Sequence, residues 1–547
     1  MVRRLTALYP FLFAAVYVLY LAWHSPGYFE LGDLLLILAV VLAGTGVIYL
    51  VSAAIFRNRA DGRLPALVTF LVLLASFGLP FVFSQLDGLP RSARLGATAL
   101  AGIAAVALLV RWLARRPGPL QAVTTLLALT GTLLLLRFGV AIGAARISAA
   151  EEVEESRLAR ALERPIVGPA AVPGPRRDIY LVVLDEYANS AVLRERFGYD
   201  NRAFEDSLRA LGFYLPPVVG SNYLHTILSL PSLLNSAHVY AVASELPDGA
   251  RDPTLVNDLL EWNRVAPFLQ ERGYEYVFFP SLWWASTRRS GLADSVVNVW
   301  PGFDLSHALS RTGLRRTVRG TTILRFLHRN DGYDADYIRR TLEGMGQLPR
   351  VDRPVFAFAH LICPHKPYVF DRNCRTPSRM ADTLSQETAY IEQVECLNSL
   401  VLGTVTEILR RSDVPPVILL QADHGTSTLK YSDAPTAAQV DPKAAGERFG
   451  AFGAYYLPDS GAAAFGDTVT VVNVLGNVLR HYFGARLLPE PDDRYVSLDR
   501  TPFEFSRGNQ PAPASSSYLE RTPRASHPAE SRSVPSAPRP SGLRGRS

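Results

Sequence analysis

The sequence has almost no net charge outside its C-terminal end. Its 547 residues carry a formal charge of +6, but residues 507–547 contain seven Arg and two Glu, a balance of +5 that leaves +1 for the rest. Proteins that bind nucleic acid present a basic face on a folded domain, whereas this charge lies in a segment rich in Pro, Ser and Arg. We therefore predict no nucleic-acid partner and a disordered tail at 504–547.

Cysteine is scarce, with three residues in the chain. Nothing near Cys363 in the sequence lowers the pKa of a thiol, which argues against a cysteine nucleophile and favours a buried apolar side chain. Cys374 and Cys396 are 22 positions apart. A disulfide between them would stabilise the fold by about 3 kcal/mol and is typical of a domain outside the cytoplasm.

Charged residues are rare in five long apolar stretches of the first third of the chain. Each stretch has about the 20 residues that a membrane-spanning helix needs. The stretches lie near 5–23, 32–56, 64–86, 95–113 and 119–143. We predict a bundle of five transmembrane helices over residues 1–145. The first stretch lacks the small-x-small cleavage site of a signal peptide, which is the alternative interpretation.

Arginine residues flank alternate ends of these stretches. They occur at 3 and 4, at 57, 59 and 63, and at 115 and 116. The positive-inside rule then places the N-terminus in the cytoplasm and everything after residue 145 outside a bacterial-type cytoplasmic membrane. Residues 146–177 combine a polar helical pattern with a Pro/Gly-rich run, which predicts a juxtamembrane helix and a linker.

Residues 178–503 have the pattern of a soluble α/β domain. Short runs rich in β-branched and aromatic residues alternate with helical patterns. The strand-like runs are 178–187, 274–280, 354–361 and 415–425, and the helical patterns include 201–213 and 387–412. This order predicts a mostly parallel sheet sandwiched by helices.

Three of these strands end in acidic or imidazole side chains. The residues are Asp185 and Glu186, then His360 followed by His365, and finally Asp423 and His424. Ligands of parallel sheets bind where the carboxyl ends of the strands meet, so these side chains are expected to converge. Acids and imidazoles gathered at one edge favour a divalent cation between them.

Each of these residues also has a structural interpretation when taken alone. Asp185 could cap a following helix, the sequence "DHG" at 423–425 could be a turn, and His360 could be a hydrogen-bonded core histidine. Their occurrence together at successive strand ends is what favours a site.

Thr226 lies at the start of a helical pattern, in "SNYLHTILSLPSLLN" at 221–235. A threonine at this position is either a helix cap or a nucleophile. In the second case the helix N-terminus would bind the anionic group under attack, and a metal in contact with the hydroxyl would favour the alkoxide.

With Asp185, Thr226, Asp423 and His424 in this order, the domain resembles the alkaline phosphatase/sulfatase superfamily. Five spans followed by an external domain resemble the lipoteichoic acid synthases and the phosphoethanolamine transferases. The resemblance implies an alkaline-phosphatase-like fold up to about residue 503. It also implies that Thr226 is the covalent nucleophile.

The same resemblance assigns the metal ligands. Asp185, Thr226, Asp423 and His424 match the ligand positions. Those families commonly have Glu where this chain has Asp185, so Glu186 is a further candidate ligand.

The resemblance also assigns substrate contacts. His365 in "PHKPY" matches the histidine that contacts a phosphate or sulfate, and His360 is a second candidate for that role. We expect Arg448 to approach the site from a later strand, as a further substrate-binding candidate. Trp283 and Trp284 belong either to a substrate-contacting loop or to a buried aromatic cluster.

True sulfatases depend on a C/S-x-P-x-R sequence whose first residue is converted to formylglycine. The nearest match here starts at Ser229 and Pro231 and has Leu233 in place of the Arg. We therefore favour phosphorus chemistry over sulfate-ester hydrolysis.

The predicted ligands suit one divalent ion, Mn²⁺, Zn²⁺ or Mg²⁺. The leading hypothesis is a membrane-anchored phosphotransferase or phosphodiesterase that acts on a membrane lipid, glycan or envelope polymer. The alternatives are a sulfuric ester hydrolase and a non-catalytic envelope protein with a degenerate enzyme domain. The sequence does not predict an oligomeric state.

Overall fold

A computed structural model describes most of the chain. The described residues are 8–24, 31–56, 62–84, 91–115, 117–170, 174–281, 287–299, 333–348, 353–376, 384–507 and 510–511. Trp283 and Trp284 lie outside them, as does the predicted tail from residue 512 onward.

The helices and strands are numbered in chain order within these residues. The α-helices are α1 (Tyr9–His24), α2 (Leu31–Ile55), α3 (Arg63–Ser84), α4 (Arg91–Ala114), α5 (Pro117–Glu155), α6 (Arg157–Leu162), α7 (Ser190–Phe197), α8 (Arg202–Ala210), α9 (Thr226–Asn235), α10 (Thr254–Glu261), α11 (Val265–Gln270), α12 (Tyr333–Gly346), α13 (Gln386–Arg411), α14 (Pro442–Phe449) and α15 (Val474–Phe483). The strands are β1 (Ile179–Leu184), β2 (Val218–Gly220), β3 (Glu275–Phe279), β4 (Ser295–Val296), β5 (Val355–Leu361), β6 (Val417–Gln421), β7 (Gly453–Tyr456), β8 (Thr468–Thr470), β9 (Tyr495–Leu498), β10 (Thr501–Arg507) and β11 (Gln510–Pro511).

Five apolar helices, α1 to α5, form the N-terminal part. Within the described residues, two stretches are long and apolar enough to cross a membrane, α2 and Pro119–Glu155 of α5. The presence of N-terminal apolar helices is confirmed, while five membrane spans stay a prediction. The predicted boundary at 145 lies inside α5, which continues without interruption from its apolar part through the polar residues up to Glu155.

The central sheet has six strands in the order β4-β3-β5-β1-β6-β7. All neighbouring pairs are parallel except β6 with β7, which is antiparallel. The predicted mostly parallel sheet is therefore confirmed. All six residues of β1 are buried, as expected for a central strand that has helices on both faces.

Alternate residues of β1 enter two separate hydrophobic cores. Val182 and Leu184 pack in the core that contains residues of α13, whereas Leu181 and Val183 pack in the core that contains residues of α9 and α15. This alternation follows from the two-residue period of a strand. Burial of each such side chain stabilises the fold by about 1.5–3 kcal/mol, so the sheet is a firm base for the residues that follow its strands.

The end of the folded domain is later than the sequence predicted. The predicted boundary at 503 lies inside β10, which pairs antiparallel with β9 and continues to Arg507. The apolar residues Phe503 and Phe505 alternate with polar ones and are buried, and this strand pattern was too short to recognise beside the tail. The predicted disulfide between Cys374 and Cys396 is present, and Cys363 is a buried free thiol.

Candidate active site

The register of the central sheet brings two acidic residues to one edge. Val183 of β1 lies opposite His360 of β5 on one side and Gln421 of β6 on the other. Asp185 comes directly after β1, and Asp423 comes two residues after Gln421. Their side chains therefore leave neighbouring strands at the same carboxyl end, and both are fully buried.

Asp185, Asp423 and His424 form a cluster of metal-ligand type. One ligand atom from each residue lies within 4.8 Å of the others. The Nε2 atom of His424 is 3.2 Å from Asp423 Oδ2 and 3.8 Å from Asp185 Oδ1. Within the described residues, both oxygens of Asp185 and Oδ2 of Asp423 are buried and make no hydrogen bond of ordinary length. Buried carboxylate oxygens without donors are unfavourable unless a cation is bound.

The electrostatics of this cluster also suit a cation. Burial and the neighbouring charge of Asp185 raise the pKa of Asp423 well above its ordinary value. Burial raises the pKa of Asp185 too, but His365 and the other nearby imidazoles outweigh burial and lower it. Burial, and then Arg448, lower the pKa of His424, which keeps its ring neutral. A divalent ion binds the two acids as carboxylates and the imidazole in its neutral form.

The tautomer of His424 follows from its hydrogen bonds. Its Nδ1 lies 3.1 Å from the carbonyl oxygen of Gly425, an acceptor, so Nδ1 carries the proton. Arg448 Nη2, a donor, lies 3.1 Å from Nε2. Nε2 is therefore the unprotonated nitrogen and carries the lone pair that a metal ligand requires.

Thr226 is the first residue of α9 and is buried beside this cluster. Its Oγ1 lies 3.0 Å from His424 Nε2. The preceding residue, His225, is extended, so α9 begins at the threonine and the N-terminal end of the helix faces the cluster. The structure thus brings together all four residues that carried the family resemblance.

Gly425 is required by a close approach of two backbones. A Cβ atom at this position would lie 2.2 Å from the carbonyl oxygen of Glu447, a contact that backbone atoms cannot relieve. The amide of Gly425 also donates to the carbonyl oxygen of Arg448, 2.6 Å away. The glycine of "DHG" therefore fixes the end of β6 against the end of α14.

Arg448 lies in the last turn of α14, and the expectation that it comes from a strand was wrong. The helix begins at Pro442 after the side-chain cap of Asp441, and this short pattern was not recognised. Arg448 is buried and donates through Nε to the carbonyl oxygen of Leu224 at 2.7 Å. Burial alone lowers the pKa of this guanidinium, but nearby acidic groups, Glu186 first, outweigh burial and raise it.

Glu186 pairs with Arg448 and is not part of the cluster. Its carboxylate accepts from Arg448 Nη1 and from Ser427 Oγ, the latter at 2.9 Å. The residue has a φ of 63°, in the left-handed region, which turns its side chain away from that of Asp185. The further candidate ligand is thus occupied by an ion pair.

The two candidate substrate histidines lie beside Asp185. Buried His360 has its Nε2 3.6 Å from Asp185 Oδ2, and its Nδ1 lies 2.7 Å from Thr287 Oγ1. His365 is partly exposed, and its backbone amide donates to the carbonyl oxygen of Asp185 at 3.0 Å. The contact of Thr287 with His360 was missed, because the two residues are 73 positions apart and no local pattern connects them.

The chain is similar in structure to phosphoethanolamine transferases and to a sulfatase. It covers 94% of the C-terminal periplasmic domain of EptC from Escherichia coli, over 61% of its own length, at 11% identity and a TM-score of 0.38. For the integral membrane lipooligosaccharide phosphoethanolamine transferase A of Neisseria meningitidis, the coverage is 88% of that chain and 83% of this one, at 14% identity and a TM-score of 0.33.

A third similar structure is a sulfatase-type protein of Bacteroides thetaiotaomicron that is associated with glycosaminoglycan metabolism. It is 12% identical, with 84% of that chain and 61% of this one covered, at a TM-score of 0.34. No family model and no curated protein matches the chain. Since the TM-scores and identities are low, we infer function from the site residues alone.

Proposed function

We propose that this protein is a membrane-anchored, metal-dependent phosphotransferase or phosphodiesterase that acts through a covalent intermediate on Thr226. One observation carries the proposal. A buried threonine hydroxyl at the start of a helix lies 3.0 Å from His424 Nε2, beside two carboxylates whose three free oxygens have no hydrogen-bond donor within the described residues. This is the arrangement that an activated nucleophile and a divalent ion both require.

The residues present fit a divalent metal. Asp185, Asp423 and His424 would hold it, with the hydroxyl of Thr226 as a further ligand. A bound ion would lower the pKa of that hydroxyl and stabilise negative charge on the oxygens of the phosphate. Carboxylate and hydroxyl oxygens suit Mg²⁺ or Mn²⁺, and the imidazole suits Zn²⁺ or Mn²⁺.

The chemistry itself is an exchange of bonds to phosphorus. The hydroxyl of Thr226 loses its proton, and its Oγ1 atom forms a bond to phosphorus while the bond to the leaving oxygen of the donor breaks. The leaving oxygen takes up a proton. An acceptor hydroxyl or water then displaces Thr226 in the second step. The N-terminal end of α9 and the guanidinium of Arg448 provide positive potential at the site, and in this proposal His365 and His360 contact the phosphate.

The membrane helices suggest where the substrate is found. We propose that α1 to α5 all span the membrane, with the N-terminus in the cytoplasm and the domain from residue 178 outside. Two candidate spans and the disulfide between Cys374 and Cys396 support this arrangement. A site tethered to the bilayer meets lipid or lipid-linked polymer at a high effective concentration, so the substrate class is an envelope lipid, glycan or polymer.

Replacement of the nucleophile tests the proposal. We expect Thr226→Ala in the full-length protein to lose activity on a chromogenic phosphodiester by on the order of 10³-fold or more, with its metal content unchanged. Thr226→Ser should retain part of the activity because it keeps a hydroxyl. The matched control is Ser232→Ala, which removes another buried hydroxyl of the same helix.

Three results would contradict the proposal in different ways. Undiminished turnover by Thr226→Ala would exclude the threonine as nucleophile. Faster turnover of a sulfate ester than of the matched phosphodiester would favour a sulfuric ester hydrolase. A wild-type protein that binds neither Mn²⁺ nor Zn²⁺ would favour a non-catalytic envelope protein.

A further inference from the structure

Ser281 and Thr287, in the segment after β3, contact each other twice. The amide of Ser281 donates to the carbonyl oxygen of Thr287 at 2.8 Å, and the two hydroxyl oxygens are 2.5 Å apart. Thr287 is almost fully buried. Its hydroxyl is therefore fixed by contacts on both its backbone and its side chain.

The hydroxyl of Thr287 contacts the catalytic centre through His360. It lies 2.7 Å from Nδ1 of the imidazole, whose other nitrogen lies 3.6 Å from Asp185 Oδ2. The two nitrogens point to opposite sides of the ring. A partner that holds Nδ1 therefore fixes the direction of Nε2.

The next residue, Arg288, contacts the membrane-helix region. Its guanidinium binds both carboxylate oxygens of Asp33, with Nη2 3.1 Å from Oδ1 and Nη1 in contact with Oδ2. Asp33 lies in the first turn of α2 and is 5% exposed. Arg288 is partly buried, and a bidentate pair of this kind fixes the relative positions of both partners better than an exposed pair does.

We infer that Thr287 and Arg288 position His360 from the membrane side: Asp33 of α2 fixes Arg288, and the adjacent Thr287 fixes the imidazole that faces Asp185. Thr287 and Arg288 are positioning residues, since they act through His360. The consequence for turnover rests on the proposed function. The orientation of the ring can be measured without substrate or metal.

The first experiment follows the imidazole of His360 by ¹⁵N NMR in the full-length protein labelled at histidine, with His360→Gln used for assignment. The wild type should show a single tautomer. Thr287→Val, which keeps the shape and removes the hydroxyl, should shift the ring nitrogens toward a mixture of tautomers. Thr287→Ser should restore the wild-type shifts. Unchanged shifts in Thr287→Val would overturn the inference.

Activity supplies the second readout. We expect Thr287→Val to lower kcat/KM about tenfold, the usual effect of removing the partner of a functional histidine. In a His360→Gln background the same change should have no further effect, because the hydroxyl acts through the ring. Equal losses with and without His360 would show that Thr287 acts elsewhere and would overturn the inference.

The membrane side is tested with Asp33→Asn, Arg288→Gln and the double variant. Each single change should shift the His360 signals and lower kcat/KM roughly threefold to tenfold, and the double variant should be no worse than the weaker single variant. The matched control is Arg289→Gln, whose partner is the nearby Glu261, 3.0 Å away. Additive losses of kcat/KM in the double variant, or equal shifts of the His360 signals in Arg289→Gln, would overturn the inferred role of Asp33 and Arg288.

The two proposals fail in distinguishable ways. If Thr226→Ala keeps full activity, the proposed function is wrong, while the NMR response of His360 to Thr287 and Arg288 still decides the positioning inference. If the NMR response is absent while Thr226→Ala is inactive, the positioning inference alone is wrong.

Discussion

Asp185 and Glu186 are consecutive residues, yet their carboxylates occupy opposite electrostatic environments. Both oxygens of Asp185 lack a hydrogen-bond donor within the described residues, whereas Glu186 binds the guanidinium of Arg448 and the hydroxyl of Ser427. The protein itself compensates the charge of Glu186, whereas compensation of Asp185 depends on a bound cation. The site therefore has a structural half, around Glu186 and Arg448, and a ligand-dependent half, around Asp185 and Asp423.

The backbone conformation at Glu186 explains why the side chains of these two consecutive residues lie in different environments. Glu186 has a left-handed φ of 63°, which an L-residue with a long side chain adopts at a free-energy cost of about 1–2 kcal/mol. Its amide lies 3.4 Å from Asp423 Oδ1, and its carbonyl oxygen accepts from the hydroxyl of Tyr390 at 2.8 Å. The surrounding contacts therefore hold the turn that separates the two acids.

The largest expected effect is on the ligand-dependent half. Asp185→Asn removes the charge of a proposed metal ligand, so stoichiometric binding of Mn²⁺ or Zn²⁺ should be lost and turnover should fall by on the order of 10³-fold. Without metal, the variant should stay folded with a small loss of stability, because the imidazoles that lower the pKa of Asp185 favour its charged form in the folded state. Metal analysis and denaturant unfolding measure both quantities. The exposed Asp206→Asn is the control.

A variant that binds metal normally would remove Asp185 from the ligand set. If Asp185→Asn is unfolded in the absence of metal, Asp185 belongs to the structural half, and the division of the site into two halves is wrong.

The structural half should respond in the opposite way. Glu186→Gln leaves the buried guanidinium of Arg448 without its counter-charge, so the free energy of unfolding should fall by about 3 kcal/mol with or without metal. The double variant Glu186→Leu with Arg448→Met should lose less than Glu186→Gln alone, since it removes both charges. Urea unfolding measures these differences.

The control for this prediction is the exposed pair of Arg196 and Glu387, whose charged atoms are 2.9 Å apart. Glu387→Gln should lower the free energy of unfolding by less than about 1 kcal/mol. A similar small effect of Glu186→Gln would mean that its ion pair contributes no more than a surface pair.

The stabilisation of the wild type by bound metal should be slightly smaller than the loss of about 3 kcal/mol expected for Glu186→Gln. At a free metal concentration 100 times the Kd, binding to the folded state alone adds about 2.7 kcal/mol to the free energy of unfolding. Asp185→Asn should show none of this gain, and Glu186→Gln should retain it. Thermal unfolding with and without a chelator gives the comparison, and a loss of the gain in Glu186→Gln would show that the two halves are not separable.

The smallest expected effect is the pH dependence of the metal-free protein. The folded pKa of Asp423 lies above its ordinary value of 3.8, because of burial and then Asp185. As pH rises above about 3.8, the unfolded chain releases this proton while the folded chain retains it, so the contribution of Asp423 to stability falls. Asn carries no such proton. The advantage of Asp423→Asn over the wild type should therefore grow with pH.

Within that window the difference should grow by up to about 1.4 kcal/mol per pH unit until the folded carboxyl also ionises. Denaturant unfolding of both proteins in chelator, from pH 4 upward, measures it. A difference that does not change with pH would show that Asp423 is not perturbed in the folded state.

The sequence predicted the parts of this site that follow from strand order. Buried parallel strands place their carboxyl ends together, so the order of the strand-like runs was enough to assign Asp185, Asp423 and His424 to one edge of the sheet. Thr226 was found because a helical pattern begins there. Each of these signals is local in the chain.

The remaining features depend on contacts that have no local pattern. The left-handed turn at Glu186 is unusual for that residue type, and its partner Arg448 is 262 positions away in the chain. The contact of Thr287 with His360 joins the segment after β3 to a residue of β5, and no sequence pattern links the two. The close approach at Gly425 depends on where α14 ends, which the sequence of "DHG" does not contain.

The ion pair between Arg288 and Asp33 has a practical consequence for the choice of protein fragment. A soluble version cut within the linker at 165–177 would keep Asp185, Asp423 and His424 but would lose the aspartate that binds Arg288. Compounds selected for binding to such a fragment would meet an Arg288 that has lost its contact with Asp33, so their affinity should drop when the full-length protein is tested.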